Sequence, residues 1–249
     1  MAGPAKQRLD AILVARGLAE SRTKAQALVL AGLVWSGERR LDKPGQSLAV
    51  DAALEVRGKP HPWVSRGGVK LAHGLAHFRI DPKDRICLDI GASTGGFTDV
   101  LLQAGAARVY AVDVGQGQLD WRLRNDPRVV VLERTNARHL SRAAVPDPID
   151  VIVCDASFIG LQVVLPAALA LAAPEARLIA LIKPQFEAGP EQVGKGGVVR
   201  DPALHQAICR RIEAWLGAQP GWRVLGVTLS PLEGPQGNKE FLIGAEHHA

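Results

Sequence analysis

The chain has 249 residues, 47% of them hydrophobic and 22% charged, which excludes a wholly disordered or collagen-like chain and leaves room for one large domain or a large one with a small companion. Its three cysteines, Cys87, Cys154 and Cys209, are odd in number and widely spaced, so a disulfide framework and a structural zinc site both lack ligands. The formal net charge of +5 divides unevenly: residues 1–60 hold ten lysines and arginines against six acids, the remainder twenty against nineteen. A basic segment beside a near-neutral one fits either a polyanion-binding attachment or an ordinary solvated surface.

The amino terminus, M-A-G-P-A-K-Q-R-L-D, carries no apolar run of signal-peptide length, so the cytoplasm is the expected compartment. The most lipid-like stretch, Leu161 to Ile182, is broken by Gln162, Pro166, Pro174, Glu175 and Arg177, and no membrane span is expected.

In chain order, Leu9, Ile12 and Leu13 recur at helical spacing and Gly17 follows as a stop. Ser21 can cap a second helix whose Ala25, Leu28 and Val29 share a face, ended by Gly32. Short strands are expected at Leu33 to Trp35, Ser47 to Val50 and Leu54 to Val56, with S-G-E-R as a turn. The two prolines of R-G-K-P-H-P-W, residues 57–63, disfavour helix and mark a linker (about 57–64) between a domain over 1–60 and another over 61–249.

The first segment resembles the RNA-binding domain named after small-subunit ribosomal protein four, here the S-four domain. The resemblance rests on R-L-D, on S-R-T-K-A-Q-A-L-V-L-A-G-L-V and on the glycine turn after it. It places Arg8, Arg22, Lys24, Arg39 and Arg40 on a phosphate-facing surface, where cations position RNA without reading its sequence. Any one of them alone would read as a solvated charge.

From residue 66 a helix, R-G-G-V-K-L-A-H-G-L-A-H-F, leads into alternating elements. Strands are expected at Ile86 to Ile90, Arg108 to Val114, Val129 to Glu133, Ile149 to Asp155, Arg177 to Lys183, Trp222 to Leu229 and Glu240 to Ala245, with helices at Gly96 to Gln103, Leu161 to Ala172 and Pro202 to Leu216. This alternation predicts an α/β fold with a doubly wound, mostly parallel sheet, its last two strands able to pair as an antiparallel hairpin at the edge.

The strongest local signal is C-L-D-I-G-A-S-T-G-G-F-T, residues 87–98. An apolar strand ends in a turn, Gly91, Ala92, Ser93, Thr94, Gly95, Gly96 and Phe97, where backbone can approach a nucleotide-like ligand. The spacing is not the G-x-G-x-x-G of dinucleotide sites. Asp113, with Val114 beside it, ends the second strand where a carboxylate can bond both hydroxyls of a ribose, and Glu133, Arg134, Thr135, Asn136 and Ala137 end the third, suited to an adenine edge. Together these fit S-adenosylmethionine, which has ribose and adenine but no phosphate. The other reading makes Gly95 and Gly96 packing residues and Asp113 a turn residue. G-P-E-Q-V-G-K-G, residues 189–196, nearly matches a phosphate loop, but Gly196 replaces its hydroxyl, so Lys195 is assigned to a loop.

The target atom follows from what is missing. No [DNS]-P-P-[YFW] motif for base amines follows the fourth strand, which reads C-D-A-S-F, and Cys154 follows Val153 rather than a proline and reads as a buried thiol. A hydroxyl target remains. Asp155 (which also borders the donor site), Lys183, Glu240 and Lys70 lie at strand ends or on the first helix, where a doubly wound sheet turns them to one crevice. Singly, such lysines snorkel and such aspartates cap turns. His61, His73, His77, His139 and His205 show no metal-ligand spacing, and no metal is expected.

S-R-G-G-V-K-L, C-D-A-S-F, I-K-P-Q-F-E and K-E-F are similar to the four motifs of the FtsJ-type ribose 2'-O-methyltransferases, whose Lys-Asp-Lys-Glu tetrad maps onto Lys70, Asp155, Lys183 and Glu240. With the S-four segment in front, the chain resembles the TlyA family. W-V-S-R-G, K-P-Q-F-E-A-G and G-K-G-G-V-V-R-D are similarly characteristic, and Arg66 in the first of these joins the expected RNA-binding residues. The resemblance implies a Rossmann-like S-adenosylmethionine-dependent methyltransferase sheet behind a small α+β RNA-binding domain. It implies transfer of a methyl group to a cytidine 2'-hydroxyl in ribosomal RNA, free or in a subunit. Short segments before Arg8 and after the last strand look like the type restricted to large-subunit RNA. Two other classes stay open: a membrane-lytic haemolysin, a label some family members carry, and a non-catalytic ribosome-assembly factor.

Overall fold

The computed structural model describes residues 6–19, 21–57, 61–194 and 196–248, and the chain divides into two compact units, Met1–Pro62 and Trp63–Ala249. Lys195 and three residues of the expected linker, 58–60, lie outside the described residues.

In the small unit, β1 (Lys6–Arg8) leads into α1 (Leu9–Ala15) and α2 (Arg22–Leu30), followed by β2 (Val34–Ser36), β3 (Arg39–Arg40), β4 (Ser47–Ala49) and β5 (Glu55–Val56). Ser21 caps α2 by accepting from the Lys24 backbone N–H. Leu9, Leu13, Ala25, Val29, Val34 and Leu41 form the core of this unit. The sequence reading missed β1. Its residues, K-Q-R, are all exposed and carry no alternation, and they are extended only because they pair antiparallel with β4. The expected S-G-E-R turn forms, with Ser36 paired to Arg39 across it, and Arg40 continues the pairing opposite Trp35. Arg57 belongs to this sheet rather than to a linker, since its N–H donates to Leu33 O and its guanidinium lies 4.5 Å from the Trp35 ring centre.

The large unit runs α3 (Gly67–Phe78), β6 (Ile86–Ile90), α4 (Gly96–Gln103), β7 (Arg108–Val112), α5 (Trp121–Arg124), β8 (Val129–Leu132), β9 (Ile149–Cys154), α6 (Leu161–Val164), α7 (Pro166–Leu169), β10 (Ala172–Ile182), α8 (Pro184–Glu187), α9 (Pro202–Gly217), β11 (Trp222–Leu229) and β12 (Phe241–His247). Seven strands form one sheet in the order β11-β12-β10-β9-β6-β7-β8. The pairs from β10 to β8 are parallel, and β12 runs against both β10 and β11.

Alternate residues of the inner strands feed two separate cores. Leu88, Ile90, Ile152, Cys154, Leu178 and Ala180 pack with Ile208 and Ile212 of α9, whereas Cys87, Val151, Val153, Ile179 and Leu181 pack with Leu71 of α3 and Leu101 of α4. A period of two with both faces covered is what a doubly wound sheet requires.

One expected element does not form. The helix expected over Leu161 to Ala172 is split at Pro166, which lacks the N–H to continue a helix and starts α7 instead. Strand β10 begins at Ala172, and its register shifts between Ala172 and Arg177, where Glu175 takes a φ of 64°. The hairpin of the last two strands forms, with β12 as its inner strand and β11 at the edge.

Candidate active site

Strands β6 to β10 are parallel, so their carboxyl ends share one edge of the sheet, and antiparallel β12 begins at that edge. Between β6 and β9 the strand order reverses, the position where open α/β sheets take their ligands.

A cleft of about 640 Å³ opens there, bordered by Gly91 and Ser93 from the first turn, Asp113 and Val114 from the second, Thr135, Asn136 and Ala137 from the third, and Asp155 to Ile159 from the fourth. Its size suits a nucleoside-sized ligand. Asp113 accepts from the Ser93 N–H through Oδ2 at 2.8 Å and from the Gly115 N–H through Oδ1 at 2.7 Å. Each oxygen keeps a lone pair for a hydroxyl of a bound ribose. Asn136 spends its carbonyl oxygen on the Arg138 N–H, leaving its amide donors for an adenine edge.

A second cleft, of about 230 Å³, shares Gly91, Ser93 and Asp155 with the first and is bordered further by Ser65, Arg66, Gly67, Lys70, Ala92, Thr94, Gly96 and Phe97. The glycines make the junction possible. A Cβ on Gly91 (φ 81°) would lie 3.0 Å from Asp155 O, and one on Gly96 would lie 2.2 Å from Ser65 Oγ. Gly95 (φ 95°) borders neither cleft. It packs beneath Leu119 and Leu123, where a Cβ would come within 2.3 Å of Leu123 Cδ1. Phe97 is buried in the core and still borders the second cleft.

The four ionisable residues form two pairs. Lys70 Nζ meets Glu240 Oε2 at 2.5 Å, and Lys183 Nζ meets Asp155 Oδ1 at 2.6 Å. Lys183 also donates to Ser157 Oγ at 2.9 Å and to the Asp155 carbonyl at 3.2 Å, while its contact with Asp155 Oδ1 is an ion pair without hydrogen-bond alignment. Lys70 and Asp155 border the second cleft, and each partner stands behind its bordering residue. Glu240 is 1% exposed, and Gly234 is what makes room for it, since a Cβ there would lie 2.1 Å from Oε1.

Three contributors were not singled out from the sequence. Ser157 completes the cradle of Lys183. Phe158 is 89% exposed at a φ of 65°, on the border of the first cleft with its ring centre 5.0 Å from that of Phe186. A bulky residue held in the left-handed region and facing water points to use. Asp89, fully buried, accepts from Thr98 Oγ1 at 2.6 Å, and burial first, then the charge of Asp155, pushes its carboxyl up to about 7. Burial likewise pushes the Cys154 thiol up to about 12, as an inert core cysteine requires.

Of the expected RNA-facing residues, Arg8 and Arg22 converge on Asp10 in the small unit. No described hydrogen bond or ion pair joins Lys24, Arg39 or Arg40 to them, and Arg66 lies in the large unit beside Lys70 at the second cleft. Among the described residues no helix is long and apolar enough to cross a membrane.

Comparison with known proteins matches residues 63–247 to the FtsJ-like methyltransferase family and residues 7–52 to the S4 domain. The chain is 50% identical over 243 residues, 96% of its length and 89% of the relative's, to the 16S/23S rRNA (cytidine-2'-O)-methyltransferase TlyA of Mycobacterium tuberculosis. It is 40% identical to Hemolysin A of Brachyspira hyodysenteriae, over 94% of this chain and 98% of that one. Among solved structures, "Putative hemolysin from Streptococcus thermophilus" superposes with a TM-score of 0.76 at 42% identity, covering 99% of this chain and 90% of that one.

Proposed function

Because the chain belongs to the FtsJ-like methyltransferases, in the TlyA group that carries an S4 domain in front, we propose that it transfers the methyl group of S-adenosylmethionine to the 2'-hydroxyl of a cytidine in ribosomal RNA, with large-subunit RNA, alone or together with small-subunit RNA, as substrate. The observation that carries this reading is the junction of the two clefts, where a lysine–carboxylate pair flanks each side of one small space.

The donor fits the first cleft by its chemistry: Asp113 for the ribose, Thr135, Asn136 and Ala137 for the base, and no built phosphate cradle. When bound, S-adenosylmethionine supplies a sulfonium-activated methyl group and leaves as a neutral thioether. The chain's own residues do the rest. A ribose hydroxyl is too weak an acid to ionise alone at neutral pH, so its oxygen needs cationic neighbours and a route for its proton. Lys70, held by Glu240, positions the hydroxyl; Lys183, held by Asp155 and Ser157, receives the hydroxyl proton as a neutral amine, becomes an ammonium, and returns the proton to solvent before the next turnover. Both lysine side chains are oriented by short contacts before substrate arrives, which lowers the reorganisation left for the reaction. Phe158 offers a ring face on which the base of the target nucleotide stacks.

The test is label transfer from radioactive S-adenosylmethionine to ribosomal RNA from cells lacking the gene, followed by nuclease digestion. Label in 2'-O-methylcytidine is expected, with large- and small-subunit RNA assayed separately. Label in a base, or none while the donor binds normally, would end the proposal. Release of haemoglobin from red cells by the same preparation would favour the lytic reading that the hemolysin names carry. Persistence of the cellular role in a Lys183→Ala protein would favour an assembly factor.

A further inference from the structure

In the small unit, Asp10 is a carboxylate with 0% exposure at the start of α1, and it carries a set of contacts that the fold alone does not call for. Arg8 donates to it through two nitrogens, Nε to Oδ1 at 3.0 Å and Nη2 to Oδ2 at 2.8 Å. Arg22, from the first turn of α2, donates Nε to the same Oδ2 at 3.2 Å, and Gln26, one turn further along α2, adds Nε2 at 3.0 Å. The two guanidinium side chains themselves are 50% and 59% exposed. A buried acid thus holds the roots of two cations whose outer edges face water.

We propose that Asp10 is the positioning residue of this unit's RNA-binding surface, holding Arg8 and Arg22 as a preset pair for one phosphate group of the RNA backbone. The proposal rests on the reading of the unit as RNA-binding. Both arginines reach the same carboxylate oxygen, so their bonded nitrogens lie within about 6 Å of each other, close enough for two forks to share one phosphate. Arg8 has spent Nε and Nη2 on Asp10, which leaves Nη1; Arg22 has spent only Nε, and its two Nη groups donate to no described residue. An arginine ordered before binding loses less rotamer freedom when it binds.

The surroundings preserve this arrangement. The Asp10 N–H donates to Pro44 O at 3.0 Å and the Leu9 N–H to Gln46 O at 2.9 Å, pinning the helix start to the turn that contains Gly45. Arg8 lies flat against that turn: a Cβ on Gly45 would stand 2.9 Å from Arg8 Nη1 and 3.2 Å from Nη2. The hydrogen bonds from Arg8 hold the Asp10 carboxyl well below the usual carboxylate range, so the anchor stays charged at any pH at which the protein works.

The sign of one substitution separates this role from a bystander's. Asp10→Asn removes a negative charge beside a surface that meets a polyanion, and if the carboxylate only neutralises its neighbours, RNA binding must tighten. If it positions them, binding must weaken. The experiment measures the affinity of the full chain for an in vitro transcript of large-subunit ribosomal RNA across a series of salt concentrations. For Asp10→Asn we expect a loss of roughly tenfold and a salt slope lower by about one, the signature of one phosphate contact. Gly45→Ala changes no charge and displaces only the guanidinium end of Arg8, so a smaller loss, roughly threefold, is expected. Far-UV circular dichroism confirms that each variant is folded. Unchanged or tighter binding by folded Asp10→Asn overturns the proposal. Should that variant fail to fold, unchanged binding by Gly45→Ala overturns it. Arg8→Ala and Arg22→Ala are the controls: if neither weakens binding, the RNA-binding reading of this surface fails first.

Discussion

The ammonium of Lys70 and the carboxylate of Glu240 meet at 2.5 Å although 170 positions separate them in the chain, and both side chains are nearly sealed from water. Removing one member of such a pair leaves the other charged and uncompensated, which costs roughly 3–5 kcal/mol, whereas removing both costs far less. Glu240→Gln and Lys70→Met are each expected to destabilise the fold, and the double variant to recover much of the loss. Denaturant unfolding of the four proteins measures the coupling. Additive losses would show that the two residues stand side by side without depending on each other.

Asp113 ties the donor turn together through two backbone N–H groups and has lone pairs to spare. Asp113→Ala removes two charge-assisted hydrogen bonds to a ribose, each worth about 1.5–3 kcal/mol. S-adenosylmethionine affinity by calorimetry is expected to fall by a factor of about a hundred or more, with RNA affinity unchanged. Normal donor affinity would remove Asp113 from the donor site.

Asp89 makes stability fall with rising pH. Burial pushes its carboxyl up to about 7 in the folded chain, against about 3.9 for an unfolded aspartate. Between those values the folded state holds the proton and the unfolded state has lost it, so the stabilisation is complete below about pH 4 and is lost as pH rises towards 7. The size is on the order of a few kcal/mol. Asp89→Asn keeps an acceptor for Thr98 and cannot ionise, so unfolding midpoints taken at pH 5, 7 and 9 are expected to flatten and to lie above wild type at pH 9. An unchanged slope would mean that Asp89 titrates as an ordinary carboxylate.

A change at Phe158, exposed at the border of the first cleft, distinguishes RNA binding from donor binding. Loss of one base stack costs about 1–3 kcal/mol, so Phe158→Ala is expected to raise the KM for RNA roughly tenfold while kcat changes little, and Phe158→Tyr is expected to restore it. Weakened donor binding with a normal RNA KM would assign the ring to the adenine side of the cleft it borders.

The strands of the large sheet were legible because each inner strand is an apolar run bounded by polar or glycine residues; Asp155, Lys183 and Glu240 were legible because they sit where such runs end or begin, and Lys70, on helix α3, through its family motif. The partners within the tetrad were not. Nothing in the linear sequence tells Lys70 to choose Glu240 over Asp155; that is set by β12 entering beside β10, a long-range pairing. The break at Pro166 was visible in the sequence but was read as an interruption of hydrophobicity rather than of hydrogen bonding. Phe158 carried no periodic signal, since its meaning lies in a backbone conformation and an exposure that only the fold reveals.

Strand β10 is built for two neighbours. Its stretch from Leu178 to Ile182 is wholly buried, flanked by β9 on one side and β12 on the other. During synthesis the first neighbour exists long before the second, so the far edge of β10 stands open as an apolar template until residues 241–247 leave the ribosome. A nascent chain cut short in its last turn of translation is therefore a seed for clumping rather than a smaller enzyme, and a chaperone has reason to wait at that edge.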